Sequence, residues 1–124
     1  MGSKVSPTVG PFANTEIDLT ADRVAELLER GEITLIDVRE PYEREAGHIP
    51  GSRHIELERL ASEAEAIDRE RPVVFQCRLG ARSAMAAQAF AASGYQAHNM
   101  AGGIRAWVDA GLPLDRPDAV VADH

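Results

Sequence analysis

Short apolar runs alternate along the chain with segments whose apolar residues recur at helical spacing. The runs suited to buried strands are residues 33–38, 53–55, 73–75 and 97–100, and a first strand is expected near residue 16. Strands that alternate with helices favour a mostly parallel sheet with helices on both faces, since parallel strands need crossover connections. The pattern therefore predicts an α/β fold.

Residues suited to helix ends delimit four predicted helices. The first begins after Thr20, whose hydroxyl suits an N-cap, and ends at Gly31. The others span about residues 58–68, 83–92 and 104–110. The polar segment after the strand at residues 33–38 is predicted as a connection. The alanine-rich third helix is predicted to be buried against the sheet, because it is apolar around much of its circumference, through Met85, Ala86, Ala89 and Phe90.

The length of 124 residues fits one domain with one core. Residues 1–15 lack periodicity and are predicted to form a flexible N-terminal arm, residues 16–114 the domain, and residues 115–124 a C-terminal tail. No apolar stretch is long enough to cross a bilayer, and no secretory signal is visible. We therefore expect a cytoplasmic protein with no membrane partner.

Charge is distributed unevenly. The net charge of -7 argues against nucleic acid or another polyanion bound by bulk charge. Residues 71–108 nevertheless contain no Asp or Glu, and four arginines lie among them: Arg71, Arg78, Arg82 and Arg105. This cationic segment inside an acidic protein suits a local site for a small anion.

Cys77 is the single cysteine, so no internal disulfide can form. It follows a predicted strand at the edge of the sheet where ligands of such folds bind. Arg78, Arg82 and the start of the next helix place positive charge beside it, an environment that favours a reactive thiolate. Gly80 allows successive backbone N–H groups to converge on one anion. A small buried residue without reactivity is the alternative interpretation.

The length of the loop bears on its chemistry. Four residues separate Cys77 from Arg82, whereas phosphatases with a cysteine nucleophile keep five. The smaller ring should fit a sulfur atom or a sulfur-linked anion better than a phosphoryl group. A cysteine-dependent phosphatase or an arsenate reductase on the same scaffold stays as an alternative.

Three motifs in the right order resemble those of the rhodanese-like sulfurtransferases. Residues 77–83 are similar to the active-site loop of that family. Residues 37–40 and 47–52 together resemble the first signature of the family. Residues 101–107 and 110–113 together resemble its last signature. The resemblance extends from about residue 16 to residue 114.

The resemblance implies a rhodanese-like fold, a five-stranded mostly parallel sheet with helices on both faces. It implies a thiosulfate sulfurtransferase in which Cys77 is the nucleophile, receives sulfur from thiosulfate and passes it as a persulfide to cyanide or a thiol, including a protein thiol. The loop is expected to bind the anion through Arg78, Leu79, Gly80, Ala81, Arg82 and Ser83. A non-catalytic interaction or redox-sensing module is a further alternative.

Other polar residues are given structural roles. Asp37 and Arg39 are predicted to pair at a strand end and support the rim of the site. His54, His98 and His124 show no ligand spacing, so we expect no metal and no cofactor.

Overall fold

The computed structural model describes residues 16–124, so the predicted N-terminal arm lies outside the described residues. Five strands form one sheet: β1 (Asp18–Leu19), β2 (Thr34–Asp37), β3 (Arg53–His54), β4 (Val73–Gln76) and β5 (Ala97–Met100). Their spatial order is β1-β5-β4-β2-β3, and every neighbouring pair is parallel. The predicted α/β fold with a five-stranded parallel sheet is confirmed.

Within residues 16–124, five α-helices connect or follow these strands: α1 (Ala21–Glu29), α2 (Pro41–Ala46), α3 (Leu60–Glu63), α4 (Ala81–Ala92) and α5 (Gly103–Asp109). The Thr20 hydroxyl caps α1 by accepting the Arg23 N–H. The prediction of a single helix over residues 58–68 is wrong. Helix α3 has only one turn and lies between the 3₁₀ segments Leu57–Arg59 and Ala64–Ala66.

Helix α2 lies where the sequence predicted only a polar connection. Pro41 takes the first helical position, and the side chains and backbone N–H groups of Glu40 and Glu43 form a reciprocal capping box. The helix has six residues, too few for an apolar stripe to reveal it. Its start is nevertheless marked by Glu-Pro-x-Glu at residues 40–43, a capping pattern that hydrophobic periodicity does not show.

Both faces of the sheet are covered. On one face, Ile36 and Phe75 of the strands share a core with Phe90 of α4. On the other face, Leu35 and Val74 share a core with Leu27 of α1 and Trp107 of α5. Helix α4 packs against the sheet through Ala86, Ala87 and Phe90, as predicted. Its burial is limited to that side, because Met85 is 61% exposed and Ala89 is also exposed. Central strand β4 is buried throughout.

Residues 115–124 run along α2 rather than projecting from the domain. The Asp115 N–H donates to the His48 carbonyl at 2.9 Å, and the Val120 N–H donates to the Ala46 carbonyl at 3.0 Å. The Arg116 guanidinium donates to the carbonyls of Glu45 and Ala46. None of the helices in residues 16–124 is long and apolar enough to cross a membrane.

Candidate active site

Cys77 lies at the carboxyl end of β4, the edge at which parallel sheets place ligands. The loop from Cys77 leads through Gly80 into α4. Gly80 has φ 107°, a left-handed conformation that favours glycine, and it is the residue at which the chain turns into the helix. The turn brings the first N–H groups of α4 back toward the sulfur.

The Cys77 sulfur accepts two backbone hydrogen bonds. The Gly80 N–H lies 3.1 Å from Sγ and the Ser83 N–H lies 3.4 Å from it. The positive end of the twelve-residue helix α4 points the same way. These donors are fixed by the backbone, so negative charge on the sulfur is stabilised without rearrangement.

A chain of side chains continues from the sulfur into the sheet. The Ser83 hydroxyl lies 3.3 Å from Sγ of Cys77 and 2.6 Å from Oδ1 of Asn99. The Asn99 amide in turn donates to the Asp18 carboxylate at 3.0 Å. Asn99 and Asp18 are adjacent in the register of β5 and β1, so two strands orient the hydroxyl beside the sulfur.

Helix α5 contacts the cysteine loop through two backbone hydrogen bonds. The Ile104 N–H donates to the Cys77 carbonyl at 2.8 Å, and the Arg105 N–H donates to the Arg78 carbonyl at 3.1 Å. A Cβ on Gly103 would lie 2.4 Å from the Arg78 carbonyl oxygen, so the close approach requires glycine. The motif at residues 101–107 therefore fixes the backbone of the cysteine loop.

Arg82 is oriented by Glu43 of α2. Its guanidinium donates to both carboxylate oxygens of Glu43, at 2.9 and 3.1 Å. The Glu43 side chain is fully buried and also accepts the Glu40 N–H. Glu43 is not among the site residues predicted from the sequence, although the capping-box pattern of Glu40 and Glu43 marks it.

Burial raises the pKa of the Glu43 carboxyl, but the hydrogen bonds from Arg82 and the Glu40 N–H, with the charge of Arg82, outweigh it and hold this pKa below its usual 4.5. The Arg82–Glu43 hydrogen bond raises the pKa of Arg82. Both groups are therefore ionised at neutral pH, and the pair fixes a cation next to the cysteine loop.

We expect Glu43→Gln to lower the free energy of unfolding at pH 7 by about 1–3 kcal/mol, because Arg82 loses a charged partner. A carboxyl whose pKa is lowered by folding stabilises the protein above its unfolded pKa, and this stabilisation disappears as pH falls through the folded pKa. The deficit should therefore shrink as pH falls below 4.5. Urea unfolding from pH 7 to pH 3 measures it.

Glu45→Gln is the matched control, since Glu45 is exposed on the same helix. It should change the unfolding free energy by less than about 0.5 kcal/mol. Equal losses in the two variants, or a Glu43→Gln deficit independent of pH, would contradict the assigned role of the pair.

The cavity beside Cys77 has a volume of about 250 Å³. It is lined by Cys77, Arg78, Leu79, Ala81, Arg82 and His124. Cys77 is 1% exposed, so its sulfur is the floor of this cavity and not a surface group. Arg78 lines the cavity and pairs through NH2 with Asp123 at 3.3 Å.

Asp37 and Arg39 form a fully buried ion pair beneath the site. Arg39 donates through Nε and NH2 to the two Asp37 oxygens, at 2.9 and 2.8 Å. The same guanidinium donates to the Gly47 carbonyl. Neither side chain lines the cavity. The pair instead joins the end of β2 to Gly47, the residue that follows α2.

His124 lies close to two acidic residues that are distant from it in the sequence. His124 lies beside α2, with Nε2 at 3.1 Å from Glu40, and its ligand atoms lie within 4.8 Å of those of Glu40 and Glu43. No spacing in the sequence could show this grouping of distant residues. Glu43 is already paired with Arg82, and the prediction of no metal stays a prediction.

The fold and the site define a class of parallel α/β proteins with a cysteine on a short loop before a helix and two arginines beside it. The chain belongs to the Rhodanese-like domain family, whose pattern matches residues 20–110. The resemblance drawn from the three sequence motifs is thereby confirmed.

Two relatives illustrate the range of proteins that contain this domain. A protein named sulfurtransferase from Allochromatium vinosum is 34% identical over 93 residues, which cover 74% of this chain and 87% of that protein. The HTH-type transcriptional regulator Rv0324 of Mycobacterium tuberculosis is 40% identical over 97 residues, which cover 73% of this chain but 42% of the regulator. The chain thus spans less than half of that relative.

Solved structures agree on the fold. A rhodanese-related protein from Thermoplasma volcanium superposes with a TM-score of 0.73 at 29% identity, covering 78% of this chain and 95% of that one. A protein of unknown function from Rhodopseudomonas palustris, described as a possible tyrosine phosphatase, gives a TM-score of 0.70 at 26% identity, covering 92% and 100%. Proteins that share this fold are therefore described with more than one function.

Proposed function

We propose that the protein is a thiosulfate sulfurtransferase that carries sulfur as a persulfide on Cys77. The observation that carries the proposal is the position of the Cys77 sulfur. It forms the floor of a small cationic cavity and accepts the N–H groups of Gly80 and Ser83. A thiolate is the reactive form of cysteine, and these donors stabilise it.

The first half-reaction transfers sulfur to the enzyme. The Cys77 thiolate attacks the outer sulfur of thiosulfate, a new S–S bond forms, and the old S–S bond breaks with its electron pair leaving on sulfite. Arg78 and Arg82 would bind the sulfonate oxygens, since guanidinium groups suit oxyanions. No proton transfer to the leaving group is needed, because sulfite is already a stable anion.

The second half-reaction returns the enzyme to its starting state. Cyanide or a thiolate attacks the outer persulfide sulfur, the persulfide bond breaks, and Cys77 leaves as a thiolate. The backbone N–H groups that held the first thiolate also stabilise this leaving group. With one cysteine in the chain, no second thiol of the same chain can resolve the persulfide.

Intact mass spectrometry tests the proposal. After incubation with thiosulfate, we expect the protein to gain the mass of one sulfur atom, with sulfite released in equal amount and the native mass restored by cyanide. An unchanged mass under these conditions would contradict it. Thiosulfate is the sulfur donor in this experiment. Sulfate is the control anion, and it should leave the mass of the protein unchanged.

A cysteine-dependent phosphatase is the second candidate, favoured by the description of the Rhodopseudomonas palustris structure. The four-residue interval between Cys77 and Arg82 opposes it, because the ring is small for a phosphoryl group. Hydrolysis of an aryl phosphate without sulfur loading would select this candidate. Absence of both activities would leave an interaction or redox-sensing module.

A further inference from the structure

Residues 115–124, here called the C-terminal strap, supply one wall of the cavity that contains Cys77. His124 lines this cavity together with residues of the cysteine loop. The neighbouring Asp123 pairs with Arg78 at 3.3 Å, and its carbonyl accepts the Tyr42 hydroxyl at 3.1 Å. The strap therefore contacts the loop that holds the reactive sulfur and not only the outer side of α2.

We propose that the C-terminal strap sets the size of the sulfur donor or acceptor that can reach Cys77. With the strap in place, the cavity of about 250 Å³ accepts a small anion, whereas a thiol carried on a protein is excluded until the strap moves. This inference deepens the proposed function and depends on it for the identity of the transferred group.

The two ends of the strap are held with different strength. At Asp115 the backbone N–H donates to the His48 carbonyl and the side-chain carboxylate accepts the His48 N–H, at 2.9 Å each. At the cavity end the contacts are exposed: Asp123 is 98% exposed and His124 is 38% exposed where it pairs with Glu40. Exposed ion pairs contribute little to stability, so the cavity end can open while the Asp115 end stays in place.

Gly47 shows how closely the strap is packed. A Cβ at Gly47 would lie 2.6 Å from the Val120 carbonyl oxygen and 3.0 Å from Cβ of Ala119. The φ of Gly47 is 171°, an extended conformation that alanine adopts readily. Gly47→Ala therefore displaces the strap through contact alone, without backbone strain and without altering a residue that lines the cavity.

The experiment compares how fast Cys77 reacts with a small and a bulky uncharged thiol reagent. Iodoacetamide is the small probe and a maleimide that carries a polyethylene glycol chain is the bulky one. Cys77 is the single cysteine of the chain, so all labelling occurs there. The measured quantity is the ratio of bulky to small labelling rates.

We expect this ratio to rise about tenfold in Gly47→Ala and in the double variant Tyr42→Phe/Asp123→Ala, because both raise the population of the open strap. The double variant keeps the test valid if Gly47→Ala folds poorly. Asp118→Ala is the matched control, since Asp118 is an exposed acid of the same strap that pairs with Arg116 and not with the cysteine loop. Its ratio should equal that of the native protein.

Thiosulfate loading of the same proteins, followed by intact mass, separates this inference from the proposed function. Loading rates within about twofold of native, with the raised labelling ratio, support a size limit. A ratio that does not change in either variant, or that rises equally in Asp118→Ala, would overturn the role of the strap while leaving the function intact. A raised ratio without any sulfur loading would instead reject the proposed function.

Discussion

Cys77→Ser is expected to reduce the rate of sulfur transfer from thiosulfate to cyanide by about 10³-fold or more, because it removes the group that forms the intermediate. Serine keeps the size and the hydrogen-bonding position of the side chain. Its hydroxyl stays protonated at neutral pH, and an oxygen cannot hold the transferred sulfur as a persulfide. Steady-state turnover, followed as thiocyanate formed, measures the loss.

The fold of this variant should be preserved, because the serine hydroxyl can use the Gly80 N–H that contacts Sγ in the native protein. We expect its unfolding free energy to lie within about 1 kcal/mol of native. Turnover within tenfold of native, at equal stability, would remove Cys77 from the reaction. A matching loss of stability would mean that the experiment had measured the fold and not the chemistry.

The sequence was sufficient to predict the sheet and the cysteine loop. Buried strands are short apolar runs, and capping residues such as Thr20 define helix starts within a few positions in the sequence. The loop was also predictable, because Cys77, Gly80 and Arg82 are local and their chemistry follows from their order. Helix α4 begins two residues earlier than predicted, at Ala81 instead of Ser83.

The supports of the loop could not be predicted in the same way, since they come from distant parts of the chain. Glu43 reaches Arg82 across 39 positions, and Asn99 reaches Ser83 across 16. Periodicity and local spacing carry no information about such pairs. They exist because parallel strands bring the ends of β2, β4 and β5 to one edge of the sheet.

The C-terminal strap shows the same limit more strongly. Its composition, with Pro117 and several polar residues, is typical of a tail. Its position depends on backbone carbonyls at the end of α2, a helix that the hydrophobic pattern did not reveal. The residue His124, which lines the cavity, therefore carried no signal in the sequence that placed it near Cys77.

The contacts of the cysteine loop with α4 and α5 have one effect in common: they position the backbone donors around the Cys77 sulfur. The donors around Sγ are backbone groups, and a backbone donor is only as well placed as the segment that carries it. Helix α4 holds the Gly80 and Ser83 N–H groups from one side, while α5 holds the carbonyls of Cys77 and Arg78 from the other. A change in α5 should therefore reach the sulfur without touching it.

Gly103→Ala provides that change, and we expect it to lower the free energy of unfolding by about 3 kcal/mol. Gly103 has φ +65°, a conformation that costs an alanine about 1–2 kcal/mol. The added Cβ would also lie 2.4 Å from the Arg78 carbonyl oxygen, and relief of such an overlap costs about 1–3 kcal/mol. Urea unfolding measures the sum of the two effects.

The same substitution should lower sulfur-transfer turnover about 10²-fold, since a displacement of about 1 Å is enough to misplace reacting groups. Gly31→Ala is the matched control: Gly31 has φ +70°, and an added Cβ meets nothing within 4 Å. It carries the same backbone strain without the overlap, so it should lose about 1–2 kcal/mol and keep native turnover. If Gly103→Ala and Gly31→Ala lost equal stability and both stayed active, contact between α5 and the cysteine loop would not position the sulfur.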